Sequence, residues 1–486
     1  MKEKIAIIHK DNIKYPNIDE FIYPKEQYEE LNIEFDKFTK ENDVFQMIRD
    51  AFLQLEYDKE NFGTEAWNPL KKIIKPGNTV LIKPNLVLDI NKNGQGEECL
   101  YTNPSLVNAV INYVWIALDK KGKIIVADAP VQSCNFNNLV EKSGYKKMID
   151  FYKQKGVNIE LKDLRGLVTH FENGKMIQEI VDDDGIVVDL RNNSEHAKLN
   201  ENDLKKVRIT NYTPEELLKH HNKDKHEYFI AKDALYADVI INMPKPKAHR
   251  KAGVTIGLKN FVGVNVRKEY LPHHRFGDVK HGGDEYSKNS IFLRFSSSLL
   301  DFSNRLNFRH KFKRAKIITN ISKVFSKLDK SLFSRDKYRE GSWHGNDTIW
   351  RTIIDINKII KYADKNGKLC KDEQRKVLNI ADMIVIGEKE GPLLPSPKYG
   401  GIIAVGENIV CFDEIIASIF GFDIKKIPLY KNIRSIKGYS LIEENDSGII
   451  VSNNKKWNQK ETNNITEELA INIEPSDGWK GYIEIE

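Results

Sequence analysis

The sequence predicts an α/β fold: mostly parallel sheets with flanking helices, two lobes around a central site, and a basic helical insertion. Three observations carry that expectation. Short β-branched runs alternate with helical patterns from Thr79 to Glu160. The same strand signature returns at Ala237–Asn242, Asn379–Ile386 and Ile402–Val405. Between them lies a window, Arg305–Arg339, whose charge and apolar spacing belong to neither. Alternating β and α patterns favour a parallel sheet, whose ligands gather at the carboxyl ends of the strands.

In order, the apolar run after Met1 is too short for a signal-peptide core and reads as a first strand through His9. Thr79–Lys83 is a buried strand begun by the turn at Pro76-Gly77. Pro104–Leu118 has helical periodicity behind Asn103 as N-cap. Gly122–Asp128 is the next strand, Phe136–Gly144 a helix stopped by glycine, and Gly156–Glu160 a further strand. Thr169–Glu227 is polar and broken, a surface insertion or β-rich flap. Its Asp182-Asp-Asp-Gly185 lacks the full spacing of a calcium loop. Asp413–Gly421 reads as a short helix.

At 486 residues, two or three domains are expected. The divisions fall at 1–228 (an N-terminal α/β lobe with the insertion near 169–227), 229–290 (a central site-bearing segment), 291–340 (the basic insertion), 341–430 (a second α/β lobe) and 431–486 (a tail). Composition excludes some classes. With 40% hydrophobic residues, wholesale disorder is not expected. Cys99, Cys134, Cys370 and Cys411 are scattered, so there is no CxxC knuckle and no iron–sulfur cluster, and a reducing compartment fits. No run of 18 apolar residues occurs, so a cytoplasmic protein is expected, with peripheral contact at the inner membrane face left open.

Net charge is +6, but the Arg305–Arg339 window holds 12 Lys/Arg against Asp329 and Asp336 and alone carries +10. Ile321, Val324, Phe325, Leu328 and Leu332 recur there at helical spacing. A solvated helical insertion, a contact with an anionic membrane and nucleic-acid binding compete, the last without any recognition motif.

Candidate chemistry concentrates in residues 242–286. Lys83, Asn85 and Asp128 follow strands directly, as site-lining or turn residues. Lys245 and Lys247 follow the strand ending at Asn242, spaced by prolines that hold the chain extended. With His249 and Lys259 they offer cations and proton donors to a carboxylate or phosphate, or lie at the surface. His249, Lys259 and Asn260 are the expected catalytic group. A lysine in so apolar a stretch is costly to bury unpaired. His273, His274 and His281 with Asp284 and Glu285 present the donor types of a divalent metal site, or a solvated loop. Asp278 belongs to the same cluster. His344, Asn346, Asp347 and Arg351 stand beside Trp343 and Trp350 as a sugar- or anion-binding corner, with a helix cap as the competing reading. Glu388 and Glu390 follow a strand as paired carboxylates or as an exposed loop.

Together, Lys83-Pro-Asn-Leu86, Thr102-Asn-Pro104, Val126-Ala-Asp-Ala-Pro130, Ile241-Asn-Met-Pro-Lys-Pro-Lys-Ala-His249, Gly257-Leu-Lys-Asn260 and Gly387-Glu-Lys-Glu-Gly-Pro392 resemble the family known as domain of unknown function 362, over roughly residues 75–425. The cysteine-rich ferredoxin segment of many members is missing here. More distantly, His249-Arg-Lys-Ala-Gly253 through Lys259 is similar to nickel-pincer lactate racemases. That resemblance implies His249 as acid/base, Lys259 as the tether of a nickel-bearing cofactor, and His273 or His274 as a metal ligand. Ile256 stands where the racemases carry glycine, and Val254 where they carry an aromatic.

The leading expectation is an enzyme acting on an anionic, polyhydroxylated small molecule or glycan precursor, with isomerase- or racemase-type chemistry and a divalent metal (nickel, iron, zinc or manganese). The alternative is a non-catalytic binding or scaffolding protein for an anionic glycan or lipid-linked precursor at a membrane surface.

Overall fold

The computed structural model describes residues 2–172, 175–181, 183–333 and 338–486. Asp182, and residues 334–337 of the basic window, lie outside the described residues. The centre is a ten-stranded, mostly parallel mixed sheet. Its strands are β1 (Lys2–His9), β2 (Thr79–Pro84), β3 (Lys123–Asp128), β4 (Ile159–Asp163), β5 (Val239–Met243), β6 (Lys247–His249), β7 (Gly253–Thr255), β8 (Lys376–Glu390), β9 (Leu394–Gly406) and β10 (Ser447–Ser452). The order is β10-β1-β9-β8-β5-β2-β3-β4, and the short β6–β7 hairpin attaches beside β8. The α/β expectation is met. The antiparallel pairs are β1–β9, β8–β9 and β6–β7.

Strand side chains alternate between two buried faces, which is why the strands read as nearly continuous apolar runs. Ile8, Val80, Ile82, Val126 and Ile241 pack under α1 (Asp43–Gln54) and α2 (Pro104–Ala117). On the opposite face, Ile7, Met383 and Ala404 meet Ile353 of α5 (Ile349–Tyr362) and Ile415 of α6 (Ile409–Ile419). Leu81, Ile125 and Ile240 meet the far end of α5 at Ile356 and Ile360. Between β7 and α5 the chain forms an antiparallel helical hairpin, α3 (Ile291–Phe308) and α4 (Phe312–Phe333), where the basic amphipathic helices were expected.

Strands from 1–228, 229–290 and 341–430 all join the one sheet, and the 431–486 tail adds its edge: β10 runs parallel to β1. Two local expectations shift. The strand placed at Gly156–Glu160 lies at Ile159–Asp163, because Gly156 takes a left-handed turn at φ 81°. The segment after Ile386 continues as strand through Glu390 and returns along β9, rather than forming a loop.

Candidate active site

The carboxyl ends of β2, β3 and β5 carry Lys83, Asp128 and Asn242, and a buried polar network ties them together. Lys83 Nζ donates to Asp128 Oδ1 at 2.6 Å, to Asn260 Oδ1 at 3.1 Å and to the Pro84 carbonyl at 3.0 Å. Asn260 Nδ2 donates to Asn242 Oδ1 at 2.8 Å, and Asn242 Nδ2 to Asn379 Oδ1 at 2.9 Å. Asp128 Oδ2 accepts the Leu86 N–H at 2.7 Å. Gly263 crosses this network so closely that a Cβ there would lie 2.3 Å from Asp128 Oδ1. The turn Gly257–Asn260 that delivers Lys259 and Asn260 is fixed by Asp413, whose carboxyl accepts the N–H groups of Gly257 (2.8 Å) and Leu258 (3.1 Å).

Above the network is a cavity of about 390 Å³ whose walls include Asn85, Asp128, His249, Lys251, Lys259, Asn260, Lys268 and His273. The strip Ile209–Asn211 and Arg165 complete its rim. Arg165 is already committed: its guanidinium bonds the Asp163 carboxylate and the carbonyls of Val131, Gln132 and Cys134. The three lysines are different. Lys251 Nζ has a hydroxyl neighbour, Thr210 Oγ1 at 3.3 Å. Among the described residues, no carboxylate lies within ion-pair distance of Lys251, Lys259 or Lys268. Burial brings each ammonium down to a pKa of about 8; neighbouring cations add to the effect at Lys259 and Lys268, while at Lys251 the attraction of Glu340 opposes it. Asp128, the carboxylate of the wall, is taken by Lys83.

The two histidines of the cavity are held in opposite tautomers by the backbone. His249 Nδ1 faces two donors, the N–H groups of Lys251 and Ala252, each at 3.1 Å. It accepts both, which leaves the neutral ring's proton on Nε2. His273 Nδ1 faces an acceptor, the Leu271 carbonyl at 2.7 Å, so it donates and leaves a lone pair on Nε2. Burial and then the nearby cations hold both rings well below the usual histidine range, hence neutral.

Of the residues singled out from sequence, His249, Lys259, Asn260, Asn85, Asp128 and His273 meet at this cavity, with Lys83 directly beneath. Lys247 lies one layer behind, donating to Asn85 Oδ1 at 2.8 Å and the Leu100 carbonyl at 2.7 Å; burial lowers its pKa to about 7. Lys245 lies elsewhere, in a fully buried pair with Asp382 at 3.0 Å and a bond to Tyr15 at 2.6 Å.

The remaining groups are not brought to the cavity. Asn346 caps α5, its Oδ1 accepting the N–H groups of Thr348 and Ile349 at 3.0 Å. Asp347 is shared between Arg275 (3.2 Å) and Arg351 (3.0 Å), and Arg351 also binds the Glu195 carbonyl. His344 stacks on Tyr482 at 4.0 Å, and Trp343 is buried with its indole N–H on the Asp284 carbonyl, so no open aromatic platform results. Glu388 and Glu390 accept the N–H groups of Glu474 and Asp477, clamping the tail.

The expected metal cluster is dispersed. His281 is exposed and pairs with Asp278, and His274 is buried apart. Asp284 accepts from Arg275, Asp347 and Thr348, and Glu285 from Ser297 and Gly277. Among the described residues, no three His, Cys, Asp or Glu side chains are arranged to hold a metal ion.

Sequence reasoning missed Lys251 and Lys268. Lys251 lies in the turn between β6 and β7, outside any periodic element, so no strand or helix spacing pointed to it. Lys268 arrives from a 3₁₀ turn with no pattern to announce it.

The family model described as Domain of unknown function (DUF362) matches residues 80–188 and 155–418, overlapping stretches that together take in every cavity residue named above. Among curated proteins, a thylakoid-associated protein of Synechocystis sp. is 27% identical over 199 residues. That match covers 41% of this chain and 43% of the relative, so the two share less than half of either length.

Proposed function

The chain belongs to the DUF362 family, and we propose that it binds a small anionic, hydroxyl-bearing molecule in this cavity and moves a proton on it. The observation that carries the reading is the convergence of Lys251, Lys259 and Lys268 on one cavity with, among the described residues, no carboxylate in ion-pair range of any of them. Clustered, desolvated ammonium groups cost stability unless a ligand neutralises them. A carboxylate or phosphate supplies that charge, and about 390 Å³ accommodates a molecule of metabolite size. The opposite tautomers support proton transfer. Nε2 of His273 takes a proton from the carbon beside the ligand's carboxylate, Nε2–H of His249 donates to the oxygen where charge develops, and the Lys259 ammonium returns a proton to the carbon. Of what the racemase resemblance implies, His249 keeps its role as the acid/base group, and Lys259 serves as a free ammonium instead of a cofactor tether. The relative's printed association with the thylakoid supports placing this work near a membrane face.

The test is thermal-shift and calorimetric titration with a panel of hydroxy acids, dicarboxylates and sugar phosphates. Lys259→Ala should weaken the best ligand by about tenfold or more, the loss of a charge-assisted contact, and leave the free protein at least as stable, since it removes a repelled cation. Unchanged affinity in Lys259→Ala refutes the reading. Deuterium uptake into the bound ligand from heavy water then separates an enzyme from a binding protein: uptake lost in His273→Gln is expected, and no uptake in the wild type leaves only binding.

A further inference from the structure

We propose that the α3–α4 hairpin is a docking surface for an anionic lipid bilayer, lying along the headgroups rather than crossing them. The hairpin has two occupied sides. Its helices join through small residues, Ser296 Oγ to Ser322 Oγ and Ser303 Oγ to Thr319 Oγ1, both at 2.8 Å. Toward the body, Ser297 bonds Glu285, Arg208 pairs with Asp301 at 3.1 Å, and Asn304 donates to the Tyr212 carbonyl at 3.1 Å. What remains on α3 is the stripe Ile291, Phe295 and Phe302, spaced by four and seven; on α4 it is Ile317, Ile321, Val324 and Leu328, spaced by four, three and four.

These side chains are exposed, Ile291 by 82%, Ile317 by 60% and Val324 by 53%. Phe295 meets Phe325 edge-on at 4.7 Å, which joins the two stripes into one patch. Exposed apolar side chains are ordinary singly; eight on one hairpin, with Phe308 counted, are not.

Charge identifies the occupant. From Arg309 to Lys330 there are eight Lys/Arg and one acid, Asp329, which is buried against Ser290. Among the described residues, none of the eight has a carboxylate in ion-pair range. On each helix the apolar stripe runs about 17 Å at 1.5 Å per residue, with cations along the same two helices. It matches the layered chemistry of a bilayer, acyl chains beneath a plane of phosphates. No described helix is long and apolar enough to cross a membrane, so the hairpin rests in the interface.

The surface is also coupled to the cavity. Arg208 and Tyr212, held by Asp301 and Asn304, bracket the strip Ile209–Asn211 that lines it.

Co-sedimentation of the full chain tests the proposal, using phosphatidylcholine vesicles with and without roughly a third of phosphatidylglycerol. Binding is expected with the anionic lipid, weakening steeply with salt. I317S/V324S and K323E/K327E alter exposed positions, so unchanged melting temperatures will show that they fold; each should weaken binding by about tenfold. Equal binding to neutral vesicles, or wild-type binding by both variants, overturns the proposal. So does a wild-type dimer in light scattering that I317S/V324S disperses while vesicle binding persists, because a second copy would then be what covers the stripe.

Discussion

At the scale of single residues, the cavity is tuned by protons. Lys251, Lys259 and Lys268 each titrate at about 8, chiefly because they are buried, with repulsion from Lys251 adding to the effect at Lys259 and Lys268. An anion binds the charged form and raises those values. Below pH 8 the ammonium groups are in place; above it they deprotonate and the attraction is lost. Affinity for an anionic ligand should therefore fall several-fold between pH 7 and pH 9, with net proton uptake on binding near pH 8. Calorimetry in buffers of different ionisation enthalpy measures that uptake directly; a pH-independent affinity would mean that the lysines do not meet the ligand. The free protein has the opposite dependence. Each lysine binds its proton less tightly when folded than when unfolded, so folding stability rises between pH 8 and the ordinary lysine value near 10.5. His249, Lys259 and Asn260 were legible as a group because glycines and an apolar surround single them out. The division of tautomers was not, since it depends on which backbone group each Nδ1 meets.

At the scale of elements, the same motifs divide into those that shape the site and those that face it. Asn346 shows the difference. Its Oδ1 caps α5, while its Nδ2 donates to the carbonyls of His273 (3.0 Å) and Gly341 (2.9 Å). It holds the His273 backbone from outside the cavity wall. Asn346→Ala should cost about 1–2 kcal/mol by denaturant melts, the loss of a buried cap. It should also shift the His273 ring resonances in an NMR titration, a readout that a cap acting only on α5 would leave unmoved. Asn346→Ser, which keeps a capping oxygen, should recover stability but not the His273 signal. The helical hairpin was legible from 3.6-residue spacing and charge. The role of Glu388 and Glu390 was not, because their partners are N–H groups of Glu474 and Asp477, more than 80 residues away. Likewise, the dense histidines and carboxylates of 273–285 suggested convergence, yet the side chains diverge: His273 lines the cavity, Asp278 and His281 pair with each other, Asp284 accepts the Asp347 N–H and Glu285 the Ser297 hydroxyl.

At the scale of the whole molecule, the cavity depends on the chain's last segment. Sequence reading left 431–486 unassigned, since its aromatic islands have no periodicity. In the fold those islands are the fastening. β10 closes the sheet beside β1, with Ile5 opposite Ile450. Trp479 is almost fully buried, and its indole N–H donates to the Arg250 carbonyl at 2.9 Å, in the turn between β6 and β7. A Cβ at Gly253 would lie 3.1 Å from the Trp479 ring, so the ring rests directly on that turn. The β6–β7 hairpin carries Lys247, His249 and Lys251, and Trp479, which is not among the residues that line the cavity, packs against its turn. Trp479→Ala should therefore lose about 3–5 kcal/mol, the cost of a large buried cavity. It should also loosen the hairpin before the rest of the sheet. Hydrogen exchange can separate the two effects. The amides of Lys251 and Ala252, held by His249 Nδ1, should exchange much faster in Trp479→Ala, while those of β2 and β3 follow only the global loss. Uniform acceleration across the sheet would make the tail a general stabiliser; acceleration concentrated at 247–255, with anion affinity reduced in parallel, would make it the back wall of the site.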